Sequence, residues 1–130
     1  MKLAIVGSRT FNDYEFMKQK IDEFVVQYGK PDVVISGGAM GADKLGEYWA
    51  HKNHIDIERF CPEYNNATMI AKYGKIKWGK IAPIFRNKTI AKTCDYMIAF
   101  SVNNSNGTCD VTEYAKSIKK EVFVHEYAII

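Results

Sequence analysis

Cysteine is scarce in this chain. Its 130 residues hold three, Cys61, Cys94 and Cys109, and no CxxC pair. An odd count without paired spacing argues against a disulfide framework or a structural zinc site and points to a reducing, cytoplasmic setting. Long apolar runs are also missing: none approaches the roughly 20 residues needed to cross a bilayer, so no membrane association is expected. The opening "KLAIVG" (Lys2–Gly7) is too short for a signal-peptide core, and no small-residue cleavage site follows it. Acidic residues are absent between Tyr64 and Cys94, where Lys72, Lys75, Lys77, Lys80, Arg86, Lys88 and Lys92 all fall. That segment is either a solvated basic surface or a field that attracts phosphate, on a nucleotide or a nucleic acid. Linkers, repeats and low-complexity tracts are lacking too, so the chain reads as one domain over residues 1–130.

What is present is an alternation of strand-like and helix-like segments. Lys2–Gly7 reads as a buried strand. Asn12 is placed to cap a helix, with Glu15 in capping-box position. Tyr14, Met17, Ile21, Phe24, Val25 and Tyr28 then recur at helical spacing. "DVVIS" (Asp32–Ser36) is a second strand, and Ala42, Leu45 and Trp49 mark the inner face of the next helix. "IDIERF" (Ile55–Phe60) is a third strand. The stretch from Cys61 to Gly79 is the least regular, with Gly74 and Gly79 as breakers. A helix over much of Lys80–Thr93 follows, then a strand "DYMIAF" (Asp95–Phe100) and a loop over Val102–Gly107. A helix with Val111, Ala115 and Ile118 inward leads to a last strand, Glu121–Tyr127. This order predicts an α/β, Rossmann-like, doubly wound and mostly parallel five-stranded sheet with helices on both faces.

In such sheets ligands bind outside the carboxyl ends of the strands, where the strand order reverses. Three small, hydroxyl-rich loops are expected to converge there: "GSRT" (Gly7–Thr10), "SGGAMGAD" (Ser36–Asp43) and "SVNNSNGT" (Ser101–Thr108). In the second, Gly37 and Gly38 permit a sharp turn and close approach of a ligand, and the following helix offers outward amides. The spacing is G-G-x-x-G, with Ser36 where a dinucleotide fingerprint needs glycine, and it follows the second strand rather than the first. An ordinary NAD dehydrogenase is therefore disfavoured, and no GK[ST] follows to make a P-loop. A tight turn without a ligand stays open. Thr108 either caps the last helix or meets a phosphate. Arg86, followed by Asn87, and Arg9 suit bidentate recognition of an anion. Asp43, Glu47, Asp110 and Glu113 are the acids near this edge. His51, His54 and His125 lack metal-ligand spacing, and neither metal nor cofactor is expected; Tyr48, Trp49 and Trp78 could stack on a base, but at these spacings read rather as packing residues.

Taken together, "GSRTFND", "VISGGAMGADKLGEYWA", "APIFRN", "CDYMIAF" and "NGTCDVTEYAK" resemble the YspA-type group of the SLOG superfamily. That superfamily also contains the LOG (Lonely guy) nucleotide phosphoribohydrolases, the DprA proteins that bind single-stranded DNA, and sensor domains for NAD-derived signals. The resemblance runs along nearly the whole chain. It implies a nucleotide or nucleotide-derived ligand held by Gly7, Ser8, Arg9, Ser36, Gly37, Gly38, Gly41, Asp43, Arg86, Asn87, Gly107 and Thr108. It leaves catalysis open. Arg86 and the pair Gly107–Thr108 match the LOG hydrolases, but Val111 stands where their glutamate falls. Asp110 or Glu113 is then the candidate acid for an N-glycosidase acting on nucleoside 5′-monophosphates. Relatives often dimerise, which implies a homo-oligomer, a dimer first. Single-stranded nucleic acid is the third reading, disfavoured because the basic segment lacks evenly interleaved aromatics.

Overall fold

In the computed structural model, which describes residues 1–128, strands and helices alternate along the chain. They are β1 (Lys2–Gly7), α1 (Tyr14–Tyr28), β2 (Val33–Ser36), α2 (Ala42–Lys52), β3 (Asp56–Arg59), α3 (Ala67–Tyr73), α4 (Lys75–Thr93), β4 (Tyr96–Val102), α5 (Asn106–Ser117) and β5 (Glu121–Tyr127). The sheet order is β3-β2-β1-β4-β5. Each neighbouring pair is parallel, from Val34 opposite Ile57 to Ile98 opposite Phe123.

Alternation along the strands sorts the core into two layers. Leu3, Ile5, Val34, Ile98 and Phe100 face one side, where Met17 and Ile21 of α1 and Trp49 of α2 cover them. Ala4, Val6, Ile35, Met97 and Ala99 face the other, against Ile90 of α4 and Val111 and Ala115 of α5. The central strands are buried on both faces, which is why they read as continuous apolar runs rather than as alternating ones. The chain winds outward from β1 through β2 to β3, then crosses to β4 and winds the other way. The reversal thus lies between β1 and β4.

Several expected boundaries move, each for a local reason. Asp13, not Asn12, caps α1: its Oδ1 accepts from the Phe16 amide at 3.0 Å, so Glu15 is not in a capping box. Residues expected to be irregular form α3, capped by Asn66, whose Oδ1 accepts from the Met69 amide at 3.1 Å. Helix α4 starts at Lys75, so Gly79 sits within it, as does Pro83. Trp78 anchors this early start, buried and donating from Nε1 to the Glu63 carbonyl at 2.7 Å. Strand β4 runs on to Val102, whose amide donates to Ser8 Oγ at 2.9 Å. Gly107 and Thr108 lie in the first turn of α5 rather than in a loop, and Ser105, not Thr108, occupies its N-cap. Among the described residues no helix is long and apolar enough to cross a membrane, and the three cysteines are free thiols.

Candidate functional site

The turn between β2 and α2 is built on its own side chains. Asp43 and Glu47 stand four residues apart, so α2 presents both on one face. Ser36 Oγ donates to Glu47 Oε2 at 2.6 Å and accepts from the Gly38 amide at 3.0 Å. Arg59 of β3 clamps the same carboxylate, from Nε at 3.1 Å and from Nη2 to the other oxygen. Burial acts to raise the Glu47 pKa, but the hydrogen bonds from Arg59 and Ser36 prevail and hold it below the usual range. The turn's amides are largely spoken for: Ala42 donates to the Ser8 carbonyl at 3.2 Å, and Ala39 to Asp43 Oδ2 at 3.2 Å. Part of the outward amide cradle expected at α2 is therefore occupied from within.

Two glycines of this turn are demanded by close approach. Gly41 has φ +80°, and a Cβ there would collide with the carbonyls of Ser8 and Arg9. At Gly37 a Cβ would come within 2.7 Å of Asp43 Oδ2 and 2.8 Å of Arg86 Nη1. Ser36, Gly37, Gly38 and Gly41 shape the wall from behind and do not line the space in front of it.

That space is a cleft of about 440 Å³. It opens at the switch point between β1 and β4, where this sheet order leaves a crevice. Eight of the residues expected at the site line it: Gly7, Ser8, Arg9, Asp43, Arg86, Asn87, Gly107 and Thr108. Thr10, Ala39, Pro83, Ile90, Ser105 and Val111 join them, although the sequence reading passed over them as site residues. For three of them the signal was the helical offset: Pro83 and Ile90 lie three before and four after Arg86, and Val111 four after Gly107.

Arg86 is held on two sides. Its Nε donates to Asn87 Oδ1 at 2.8 Å, and Nη1 to the carbonyls of Gly37 at 2.6 Å and Phe60 at 3.4 Å. Nη2 has no protein acceptor among the described residues. Neither Arg86 nor Arg9 forms an ion pair with a carboxylate among the described residues. Across the cleft, Ser105, Gly107 and Thr108 bring the N-terminus of α5, whose first amides lack intrahelical acceptors. Ser105 supplies no side-chain cap to them.

Among the described residues Asp43 is the one carboxylate lining this cleft. It is 6% exposed, and burial pushes its pKa up to about 6, against the opposing pull of the Ala39 amide, Arg86 and Arg9. The other candidate acids lie elsewhere. Glu113 is exposed, lines a separate cavity of about 220 Å³ on the other side of α5, and pairs with Lys116 at 3.7 Å. Asp110 is exposed and does not line the cleft. Trp49 is buried and donates to Asp22 Oδ1 at 3.3 Å. The lysines of α3 and α4 also stay outside, so Arg86 alone carries the basic segment into the site.

Among solved structures, the chain is similar to DNA processing protein A (DprA) from Streptococcus pneumoniae, with a TM-score of 0.66 and 24% identity. The match covers 95% of this chain and 49% of that one, so this chain spans about half of that protein, and the likeness shows the fold alone. No curated protein matches. Residues 1–66, which carry β1, the β2–α2 turn and β3, match the model of the YspA, cpYpsA-related SLOG family. The chain belongs to the YspA, cpYpsA-related SLOG family.

Proposed function

We propose that the cleft binds a nucleotide or nucleotide-derived small molecule, with its phosphate on Arg86, Arg9 and the N-terminus of α5. The observation that carries this reading is Arg86: a guanidinium fixed by three hydrogen bonds, with Nη2 unused and no carboxylate at ion-pair distance among the described residues. The free Nη2 of a fixed arginine donates charge-assisted hydrogen bonds to a phosphate oxygen, and the helix terminus adds a partial positive charge. Titration calorimetry with nucleoside 5′-monophosphates and the matching nucleosides tests it. Loss of the phosphate is expected to weaken binding at least about tenfold, as is Arg86→Gln. Equal binding of nucleoside and nucleotide, or no binding of any mono- or dinucleotide, refutes it.

A second reading, cleavage of the N-glycosidic bond of a nucleoside 5′-monophosphate, is favoured by Asp43. An oxocarbenium-like transition state needs a carboxylate beside the ribose. In this reading Asp43 takes the part that sequence reasoning gave to Asp110 or Glu113. Water would add its hydroxyl to C1′ as the C–N bond breaks, its other proton passing by way of the Asp43 carboxylate to the departing base. Release of free base by the pure protein, abolished in Asp43→Asn, is the expected result. A turnover unaffected by that substitution removes Asp43 from the chemistry.

A further inference from the structure

A second cavity, of about 190 Å³, lies against α4 and the segment after β3. Its lining shares one residue with the main cleft, and that residue is Arg86. The guanidinium therefore forms a partition: Nη1 reaches the Gly37 carbonyl behind the cleft and the Phe60 carbonyl in the wall of the second cavity.

The chemistry changes across that partition. On the cleft side stand Ser8, Arg9, Asp43 and Thr108. On the far side stand Phe60, Met69, Trp78 and Phe85. Trp78 and Phe85 lie with ring centroids 5.4 Å apart, tilted by 59°. The indole N–H is already used on the Glu63 carbonyl and Trp78 is almost wholly buried, so it backs this space with apolar surface while Phe85 presents the open ring. Phe85 is 40% exposed, a large aromatic left facing water beside a cation. Glu63, also in the lining, has one carboxylate oxygen left besides the one that accepts from Asn66 Nδ2 at 2.9 Å. Aromatic faces, a thioether, a guanidinium plane and one acceptor together suit a flat nitrogen heterocycle. Such a ring stacks on aromatics and on arginine, and its N–H edge needs an acceptor.

We propose that this second cavity holds the base of the ligand whose phosphate lies in the main cleft, so that a nucleotide straddles Arg86. The inference rests on the cleft being a phosphate site, and it adds that the ligand carries an aromatic ring about one sugar away from that phosphate. A phosphate on one side of the guanidinium and a ring on the other use its charge and its plane at once.

Calorimetry with adenosine, guanosine and cytidine 5′-monophosphates beside ribose 5-phosphate tests it, on the wild type and on Phe85→Ala. At least one nucleotide is expected to bind roughly tenfold more tightly than ribose 5-phosphate, as loss of a stacked base implies. Phe85→Ala should erase most of that advantage and leave ribose 5-phosphate binding unchanged. Tryptophan fluorescence supplies a second readout, because Trp49 lies on the opposite face of the sheet and Trp78 lines the cavity. Nucleotides should quench it and ribose 5-phosphate should not. Equal affinity for nucleotide and ribose 5-phosphate, or a Phe85→Ala loss shared by both, overturns the base cavity and leaves the phosphate site standing. Binding of none of the four probes, nor of any other mono- or dinucleotide, overturns both.

Discussion

Arg86 Nη1 donates to the carbonyl oxygen of Gly37 at 2.6 Å. The glycine-rich turn after β2 thus grips the arginine of α4 through its backbone carbonyl. Its amides meet Ser36, Asp43 and Ser8, and what it contributes to the cleft is the position of Arg86 and Asp43. The G-G-x-x-G spacing is explained by how closely these groups pack.

This division of labour separates two glycine substitutions. The Cβ of Gly37→Ala meets the far ends of two flexible side chains, Asp43 and Arg86. Stability should fall by only about 1 kcal/mol, while affinity for a nucleoside 5′-monophosphate falls about tenfold as Arg86 is displaced. The Cβ of Gly41→Ala meets backbone carbonyls at a positive φ, where neither side yields. Urea denaturation should show a loss of about 2–4 kcal/mol. Equal destabilisation by the two would contradict the assignment.

Asp43 makes stability depend on pH in a direction opposite to that of most carboxylates. Its pKa rises from an ordinary 3.8 to about 6 in the fold. Between those values the folded state binds more protons than the unfolded one. The stabilisation this gives is complete below about pH 4 and is lost as pH rises through 6. The whole step is worth roughly 3 kcal/mol at most. Asp43→Asn keeps an acceptor for the Ala39 amide and removes the buried charge. It should raise stability at pH 7 by about 1–3 kcal/mol and flatten the profile between pH 4 and 6. A variant with the wild-type slope would assign that slope to another group.

Ser36, Glu47 and Arg59 should behave as one unit. Ser36→Ala and Glu47→Ala each remove a partner from a buried hydrogen bond of 2.6 Å and should each cost about 1–3 kcal/mol. Because they share that bond, the double variant should cost about 1 kcal/mol less than the sum of the two. Strict additivity would mean that the network does not hold the turn.

The network also shows what a sequence reading reaches. Strands β1 and β5 were legible to the residue, because apolar runs bounded by turns leave little choice of boundary. Eight of the cleft's lining residues were legible too, because strand ends and helix starts in a doubly wound sheet converge by topology. The Arg59 partnership was not. It joins β3 to α2 through side chains twelve residues apart, and nothing in local periodicity marks such a pair. Helix α3 was hidden by Gly74 and Gly79, although Asn66 eight residues before Gly74 carried a cap-to-cap signal. Gly79 is tolerated because Trp78 beside it is buried and pinned, so tertiary packing overrides the local propensity.

Glu113 supplies the sharpest contrast with Asp43, because topology decides between them. Both are acids near the strand ends, yet α5 turns Glu113 to the cavity shared with Lys116 and Glu126. Its pairing with Lys116 is exposed and at 3.7 Å, the kind of contact that contributes little. Glu113→Ala should therefore change stability by no more than about 0.5 kcal/mol. It should leave nucleotide affinity, and any release of free base, at the wild-type level. Asp110→Ala, also exposed and outside the cleft, should behave the same way, while Asp43→Asn should not. If Glu113→Ala instead abolishes base release with nucleotide binding intact, the reacting sugar lies beyond Thr108 on the far side of α5, and the cleft between β1 and β4 holds only the phosphate.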